Sequence, residues 1–427
     1  MDTIFAVSSG APPAAIAIVR VSGPAALEAG SALAGTLPEP RAAGLRALRD
    51  PRDGTLLDRA LVLVFPGPDS ATGEDLLELH AHGGRAVVRA IEAALGAMPG
   101  LRPAEAGEFT RRALLNGRID MSEAEGLGDL LAAETEGQRR AALRSAEGAL
   151  RRAVEGWTTR LLGIAAQVEA LLDHSDEEDV AGGGDPLPGL RQEAAALGSE
   201  IDAIAAQPPV ERLRDGVRLV LAGAPNAGKS TLFNVLAGRE AAIVSPIAGT
   251  TRDRIEAPVV REGVAYLLTD TAGLAEATDD PIEAIGIARA QEAVEAADLI
   301  LWLDDTPPPA GPVLWINPRA DQAGRGDTSD RISVSARTGE GVDRLWAAID
   351  GRARAMLPPP DGIALNQRQR ALCAQAAEAL AGAAHEDDPL LFAEQLRTAR
   401  RAFDRITGRA DVEAVLDALF SRFCIGK

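Results

Sequence analysis

Apolar and polar positions change rhythm several times along this chain. Through residues 1–117, short β-like runs alternate with turns: 15–21 and 60–65 read as strands, Pro66-Gly67-Pro68 and His82-Gly83-Gly84 as loops. This pattern predicts an α+β domain. From 122 to 172 there is no proline, and apolar residues recur at helical spacing, as at Leu127, Leu130 and Leu131 and again at Leu161, Leu162, Val168, Leu171 and Leu172. Long helices are predicted there. The stretch 175–185 is acidic and then glycine-rich, so it reads as a loop; a helix over about 187–206 follows, ended by Pro208-Pro209. Across 213–352 the runs shorten again, and 217–222, 264–268, 299–304 and 313–317 read as strands. After Pro358-Pro359-Pro360, residues 367–423 are helical, with a break near 387–389.

The expected domains are 1–117, 118–210, 211–354 and 355–427. The second and fourth read as halves of one helical domain with the third inserted between them, since insertions are tolerated where the two ends lie close. Strands 299–304 and 313–317 read as neighbours in a parallel sheet, joined only by Asp305-Thr-Pro-Pro-Pro-Ala-Gly-Pro. A parallel crossover normally takes a dozen or more residues, usually a helix. The usual helix is therefore predicted to be reduced to a proline-rich loop.

Composition narrows the setting. The chain has 427 residues, 46% of them hydrophobic but only 3% aromatic, so its cores must be built from Ala, Leu, Val and Ile. Two cysteines, Cys373 and Cys424, supply neither a disulfide framework nor a four-ligand zinc site. Asp2 stands where a signal peptide would carry basic residues, and no apolar run approaches the ~18 residues of a membrane span. A cytoplasmic protein with no membrane contact is expected. The formal charge of −19 gives no global attraction to nucleic acid. Contact with RNA would need a local basic patch or a partner.

The chemistry concentrates in the third segment. Residues 223–230 read Gly-Ala-Pro-Asn-Ala-Gly-Lys-Ser, between an apolar run and a helical stretch. This is the phosphate-loop pattern: glycines let the backbone N–H groups turn inward, Lys229 reaches the β- and γ-phosphates, and Ser230 holds Mg²⁺. The following helix adds its dipole to the anion site. Alone, the loop leaves ATP and GTP both open. Gly249-Thr250-Thr251-Arg252-Asp253 can supply a switch threonine, and Asp270-Thr271-Ala272-Gly273 a carboxylate for the Mg²⁺ shell and an N–H for the γ-phosphate. That order and spacing suit a switch GTPase.

The base-reading motif is altered. Asp321 is placed to accept from guanine N1 and N2, but the run is Asn317-Pro318-Arg319-Ala320-Asp321, with Asn317 four residues ahead instead of three and Arg319 where Lys would stack. Either a local shift rescues Asn317 or the site is weaker. Ser335-Ala336-Arg337 reads as the second base-contacting loop. For hydrolysis, Leu274 follows the Asp270–Gly273 motif and cannot orient water, and no arginine finger is evident. Asn226 offers a neutral oxygen near the β- and γ-phosphates, where a monovalent cation could replace the finger. The nucleotide contacts expected from these motifs are Asn226, Ala227, Gly228, Lys229, Ser230 and Thr231; Gly249, Thr250 and Thr251; Asp270, Thr271, Ala272 and Gly273; and Asp321, Ser335, Ala336 and Arg337.

At this point the chain resembles the MnmE (TrmE) family of tRNA-modifying GTPases. The resemblance rests on Ile18-Val19-Arg20-Val21-Ser22-Gly23, Phe65-Pro66-Gly67-Pro68, Thr72-Gly73-Glu74-Asp75, His82-Gly83-Gly84, Gly107-Glu108-Phe109-Thr110-Arg111-Arg112-Ala113, Ile247-Ala248-Gly249-Thr250-Thr251-Arg252-Asp253 and the final Cys424-Ile425-Gly426-Lys427. It covers essentially the whole chain. It implies a multidomain α/β protein: an N-terminal α+β folate-binding domain that dimerises, a discontinuous helical domain and an inserted Ras-like P-loop GTPase domain. It further implies nucleotide contacts at Ser245, Pro246, Ile247 and Ala248, K⁺ held by Asn226, Ser245, Ile247 and Thr250, Mg²⁺ held by Ser230 and Thr251, and Glu283 positioning the attacking water. Glu283, Asn226 and Lys229 would form the catalytic set. A tetrahydrofolate derivative would bind at Arg20, Glu78, Arg118 and Lys427. The family commonly has Lys where Arg118 stands, which keeps the charge but not the geometry. With a flavin-dependent partner that carries the FAD, such proteins form a heterotetramer and modify carbon 5 of the wobble uridine, position 34, of certain tRNAs to an aminomethyl-type derivative.

Other features weigh less. Cys424, beside the implied folate site, has no His or Asp at a spacing that would activate it, and a structural or folate-lining role is preferred to a nucleophilic one. His80 and His82 share one strand face, but two ligands without a third make a poor metal site. The pairs Arg111-Arg112, Arg139-Arg140, Arg151-Arg152 and Arg400-Arg401 could touch tRNA phosphates, though most such pairs are solvated helix faces. The alternative function is a ribosome-assembly GTPase, a class that usually adds a basic RNA-binding module. A protein-targeting GTPase would need a methionine-rich groove, and the chain has four methionines.

Overall fold

Period-2 alternation turns the first hundred residues into a sheet with two unlike faces. The computed structural model describes residues 2–173, 186–240, 256–271, 291–322 and 330–410, with 419–420, 423 and 426. Six strands, β1 (Thr3–Val7), β2 (Ile16–Ser22), β3 (Gly44–Arg49), β4 (Leu56–Phe65), β5 (Leu76–His82) and β6 (Leu101–Pro103), lie in the order β3-β4-β5-β2-β1-β6. All neighbours are antiparallel except β1 and β6. Val19, Val21, Val62, Val64, Leu77 and Leu79 form one face and pack under α1 (Ala26–Ala34) and α2 (Arg85–Gly96). The alternate positions Ile18, Arg20, Glu78 and His80 share the other face and stay partly exposed. On that face Ile16, Leu45 and Leu61 are 59%, 61% and 44% exposed.

Helix α3 (Glu108–Leu115) leads into α4 (Met121–Ala132), α5 (Glu136–Ala146) and α6 (Ala149–Asp173), which occupy the proline-free stretch. Past α7 (Leu187–Ala205) and the single turn α8 (Glu211–Arg214) a second sheet begins. Its strands are β7 (Val217–Ala222), β8 (Glu256–Arg261), β9 (Val264–Asp270), β10 (Leu299–Trp302), β11 (Val313–Pro318) and β12 (Ile332–Val334), in the order β12-β11-β10-β7-β9-β8. Only the edge strand β8 is antiparallel. Leu219, Leu221, Leu268 and Leu301 pack with Leu232 and Leu236 of α9 (Lys229–Glu240) and with Leu345, Trp346 and Ile349 of α10 (Val342–Ala355).

The short crossover behaves as its length requires. Residues 303–312 carry no helix between the parallel strands β10 and β11. Trp302 Nε1 donates to Thr306 O (3.0 Å) and Trp315 Nε1 to Asp304 O (2.8 Å), while the Arg331 guanidinium lies 4.1 Å from the Trp315 ring centre. Indole rings and one cation thus cover strand surface that a helix would otherwise bury.

The helical layer is discontinuous in sequence. Helix α11 (Gln367–Ala384) packs along α7, although the whole second sheet lies between them in the chain. Asn366 starts α11 with a capping box, its side chain accepting from Gln369 N while Gln369 reaches back. Helix α12 (Pro389–Thr407) follows. By its contacts the chain divides into two compact units: Met1–Gly128 with Ala146–Thr159 and Arg400–Lys427, and Asp129–Ser145 with Arg160–Ala399. The second sheet and the α7–α11 pair therefore belong to one unit. No described helix is long and apolar enough to cross a membrane.

Candidate functional site

The phosphate loop leaves β7 and enters α9. Gly223 has φ 138°, and a Cβ there would sit 2.4 Å from Leu303 O, so only glycine lets the loop pass the end of β10. Lys229, 6% exposed at the first position of α9, donates from Nζ to Gly223 O (3.0 Å) and Ala224 O (2.9 Å). Its ammonium thus lies within the curve of its own loop, at the positive end of the helix dipole. Ser230 follows it, exposed. Asn226 is exposed in the left-handed region (φ 59°), and its side-chain amide bonds no other described residue. Asp270 ends β9 directly opposite Leu221 of β7, and Thr271 Oγ1 donates to Leu221 O (2.8 Å). This fixes the start of the Asp270–Gly273 motif beside the loop.

The base end is a cavity of about 180 Å³. Ala227, Gly228 and Thr231 line one side, and Pro318, Arg319, Asp321, Ala336 and Arg337 line the other. Asp321 accepts from Ser335 Oγ (2.6 Å) and from Arg337 Nε (2.8 Å) and Nη2 (2.6 Å). The Ser335 hydroxyl first, and the Arg337 guanidinium second, hold its carboxyl below the ordinary value. Asn317 stays inside β11 opposite Ser333, buried, and donates from Nδ2 to Ser333 Oγ (3.2 Å). It does not line the cavity. Instead Arg319, itself left-handed (φ 59°), donates from Nη2 to the main-chain carbonyl of Asn226. This link between base loop and phosphate loop was not anticipated from the sequence.

The first sheet gathers a second constellation. Arg20 and Glu78 stand directly opposite on β2 and β5, with Arg20 Nε 2.8 Å from Glu78 Oε1. His80 Nε2 reaches Glu78 Oε2 at 3.0 Å. Burial pushes the Glu78 carboxyl up, but hydrogen bonds from His80 and Arg20 outweigh it and hold the group below its ordinary value. Arg118 Nη1 lies 3.4 Å from Asp69 Oδ1, with its stem against Gly73. Gly426 rests on the end of β1: Ser8 Oγ donates to Gly426 O (2.6 Å), and a Cβ at Gly426 (φ 96°) would lie 2.0 Å from Val7 O. Val7 pairs with Val19, next to Arg20. Gly426 is thereby brought to the strand pair that carries Arg20.

Ser245, Pro246, Ile247, Ala248, Gly249, Thr250, Thr251, Ala272, Gly273, Glu283, Cys424 and Lys427 lie outside the described residues, as does the stretch 175–185. Among the arginine pairs, Arg112 is buried in ion pairs with Glu74 and Glu108, Arg139 and Arg140 both pair with Glu136, and Arg151 pairs with Glu123 and Glu155. His82 bonds Asp58 through Nδ1 (2.8 Å), so the two strand histidines serve different carboxylates. Burial pushes the Cys373 thiol up to about 12, which makes it inert at neutral pH.

A phosphate loop between strand and helix, an aspartate at the end of the neighbouring strand and a carboxylate at an adjoining cavity define a Ras-like P-loop nucleotide-binding domain. The model for the TrmE N-terminus, described as a GTP-binding protein, matches residues 3–118, and that for the MnmE helical domain matches residues 121–424. A tRNA modification GTPase MnmE from Rhizorhabdus wittichii is 60% identical over 100% of this chain and 97% of its own length. Those from Erythrobacter litoralis and Novosphingobium aromaticivorans are 56% and 54% identical, each over 100% of both chains. Among solved structures, the G domain of the T. maritima FeoB iron transporter is 26% identical over 32% of this chain and 98% of its own, with a TM-score of 0.24. The chain belongs to the MnmE (TrmE) family of tRNA modification GTPases, and it is a GTP hydrolase.

Proposed function

We propose that this protein is a potassium-activated GTPase that, with a flavin-dependent partner, modifies carbon 5 of uridine 34 in certain tRNAs, using a tetrahydrofolate derivative as one-carbon donor. The observation that carries the GTPase part is the cavity shared by Gly228, Thr231 and Asp321, one wall of which is the phosphate loop itself. A nucleotide with its base against Asp321 then has its phosphates at Lys229. Ser335, Ala336 and Arg337 complete the base end. Ser230 and Thr251 hold Mg²⁺, and Glu283 positions the water.

The residues present fit the implied ions and donor. Asn226 offers an exposed, neutral amide oxygen, the ligand type a hard monovalent cation takes. Ser245, Ile247 and Thr250 complete that site. Potassium bound there supplies positive charge beside the phosphates, as an arginine finger does in other GTPases. Arg20 and Glu78 set a cation beside a carboxylate, suited to the acidic tail and ring N–H donors of a folate, and Arg118 and Lys427 add positive charge. The FAD resides on the partner. The open face with Ile16, Leu45 and Leu61 supports a homodimer, since such apolar exposure marks contact surfaces. Arg400-Arg401, on the exposed side of α12 with Asp404 4.0 Å from Arg400, is the proposed tRNA phosphate contact. The domains are taken as 1–117, 118–210, 211–354 and 355–427, in the cytoplasm.

Mass spectrometry of wobble nucleosides in tRNA from a deletion strain tests this reading. Loss of the aminomethyl-type uridine is expected; retained modification would favour a ribosome-assembly GTPase. In parallel, GTP turnover should rise strongly in KCl over NaCl, and equal rates would remove Asn226 from its cation role.

A further inference from the structure

The Asp321 carboxylate is oversubscribed. It has about four lone-pair sites. Three protein donors already use it: Ser335 Oγ on Oδ1, and Arg337 Nε and Nη2 together on Oδ2. A guanine edge brings two more donors, N1–H and N2–H, which makes five. The two claimants on Asp321 differ in freedom. Ser335 is fully buried and also anchors its own loop, accepting from Thr338 N. The Arg337 side chain is 76% exposed and can swing into solvent, whereas Asp321 is 14% exposed and held.

We propose that the Arg337 side chain competes with the guanine edge for Asp321, so that it must yield when the base binds and thereby sets nucleotide affinity and residence time. This rests on the reading of Asp321 as the guanine acceptor. The main chain of the Ser335–Arg337 loop still walls the cavity; only the guanidinium is the rival. A guanidinium is well matched to this role, because its planar fork reproduces the donor pattern of the guanine edge, and a lysine ammonium does not. The altered neighbourhood fits the same picture. Pro318 has no side-chain donor, Asn317 is committed to Ser333, and binding at this end of the site depends heavily on Asp321.

The test is equilibrium titration and dissociation of a fluorescent GDP analogue with the full-length protein. Arg337→Ala should tighten binding by about two- to fivefold, the range of an exposed ion pair, mainly through slower release. Arg337→Lys should fall between wild type and Arg337→Ala. Unchanged or weaker binding by Arg337→Ala would overturn the proposal and make Arg337 a stacking or structural residue. Asp321→Asn separates the two readings: it should weaken GDP and improve xanthosine diphosphate. If it shifts neither, the guanine assignment of Asp321 falls and the competition falls with it. If it shifts both while Arg337→Ala does not tighten binding, only the competition fails.

Discussion

The two six-stranded sheets carry their candidate sites in different places. In the first, antiparallel sheet, the site lies on the open face: Arg20 on β2, and Glu78 and His80 on β5, are alternate residues of strands whose other face is core. In the second, mostly parallel sheet, the strands are core along their length, and the site lies beyond their carboxyl ends, after Ala222, Asp270, Pro318 and Val334. Antiparallel hairpins leave one face free, and its pleat can present a cation and a carboxylate in register. Parallel strands are covered by their own crossovers, which pushes chemistry into the loops at the ends. The first site is therefore set by register, and the second by loop conformation.

The largest expected effect breaks the second site alone. Lys229→Ala removes the ammonium from the phosphate loop and should lower GTP turnover by about 10²–10³, the usual cost of losing one preorganised charge donor. Binding of the proposed folate donor at the first sheet, followed by calorimetry, should be unchanged. Loss of both would show that the two sites do not act through separate elements.

Next comes Gly426→Ala. The added Cβ would meet Val7 O at 2.0 Å, at a φ of 96° that side chains disfavour. Gly426 should leave β1, and affinity for the proposed folate should fall about tenfold, roughly 1.4 kcal/mol. GTP turnover of the purified protein should stay at the wild-type value. Unchanged folate affinity would detach Gly426 from any role at the Arg20 strand pair.

How much of each site could be read in advance follows from the same contrast. The phosphate loop was legible because eight contiguous residues carry it, with a strand before and a helix after. The proline-rich crossover was legible because its length excludes a helix. The first site's ion pair was not legible in spacing: Arg20 and Glu78 lie 58 residues apart, only the family resemblance grouped them, and strand register is what brings them into contact. The Arg319 tie to Asn226 spans 93 residues and uses a main-chain carbonyl, which leaves no mark in residue type. Gly426 and Ser8 are 418 residues apart, so the role of that glycine shows only in space. Arg112 read as half of a surface pair, yet Glu74 and Glu108 draw it inside. Local patterns report loops well and report contacts between distant strands poorly.

Arg20→Ala sharpens the register claim with a smaller effect. It removes the guanidinium from Glu78 and should weaken folate binding severalfold, with Arg20→Lys restoring part of it because charge returns without the fork. Unchanged affinity would count against the assignment of the open face.

The smallest effect is a pH dependence confined to the first sheet. Folding holds the Glu78 carboxyl below its ordinary 4.5, through His80 and Arg20 and against burial. Between the two values the unfolded chain binds more protons than the folded one, so this group stabilises the sheet above pH 4.5 and loses that contribution as pH falls through the lower, folded value. With Arg20 32% and Glu78 13% exposed, solvent screening limits the pair to about 0.5–1 kcal/mol. Hydrogen-exchange protection of β2 and β5 amides, corrected for intrinsic rates, should therefore drop from about pH 5 to about pH 3 by less than tenfold. Glu78→Gln cannot titrate, so it should start lower and lose less over the same interval. A parallel decline in both proteins would assign the acid sensitivity to other carboxylates, such as Glu108 beside Arg102 and Arg112, and would leave the Arg20–Glu78 pair without a measurable share in holding the strands in register.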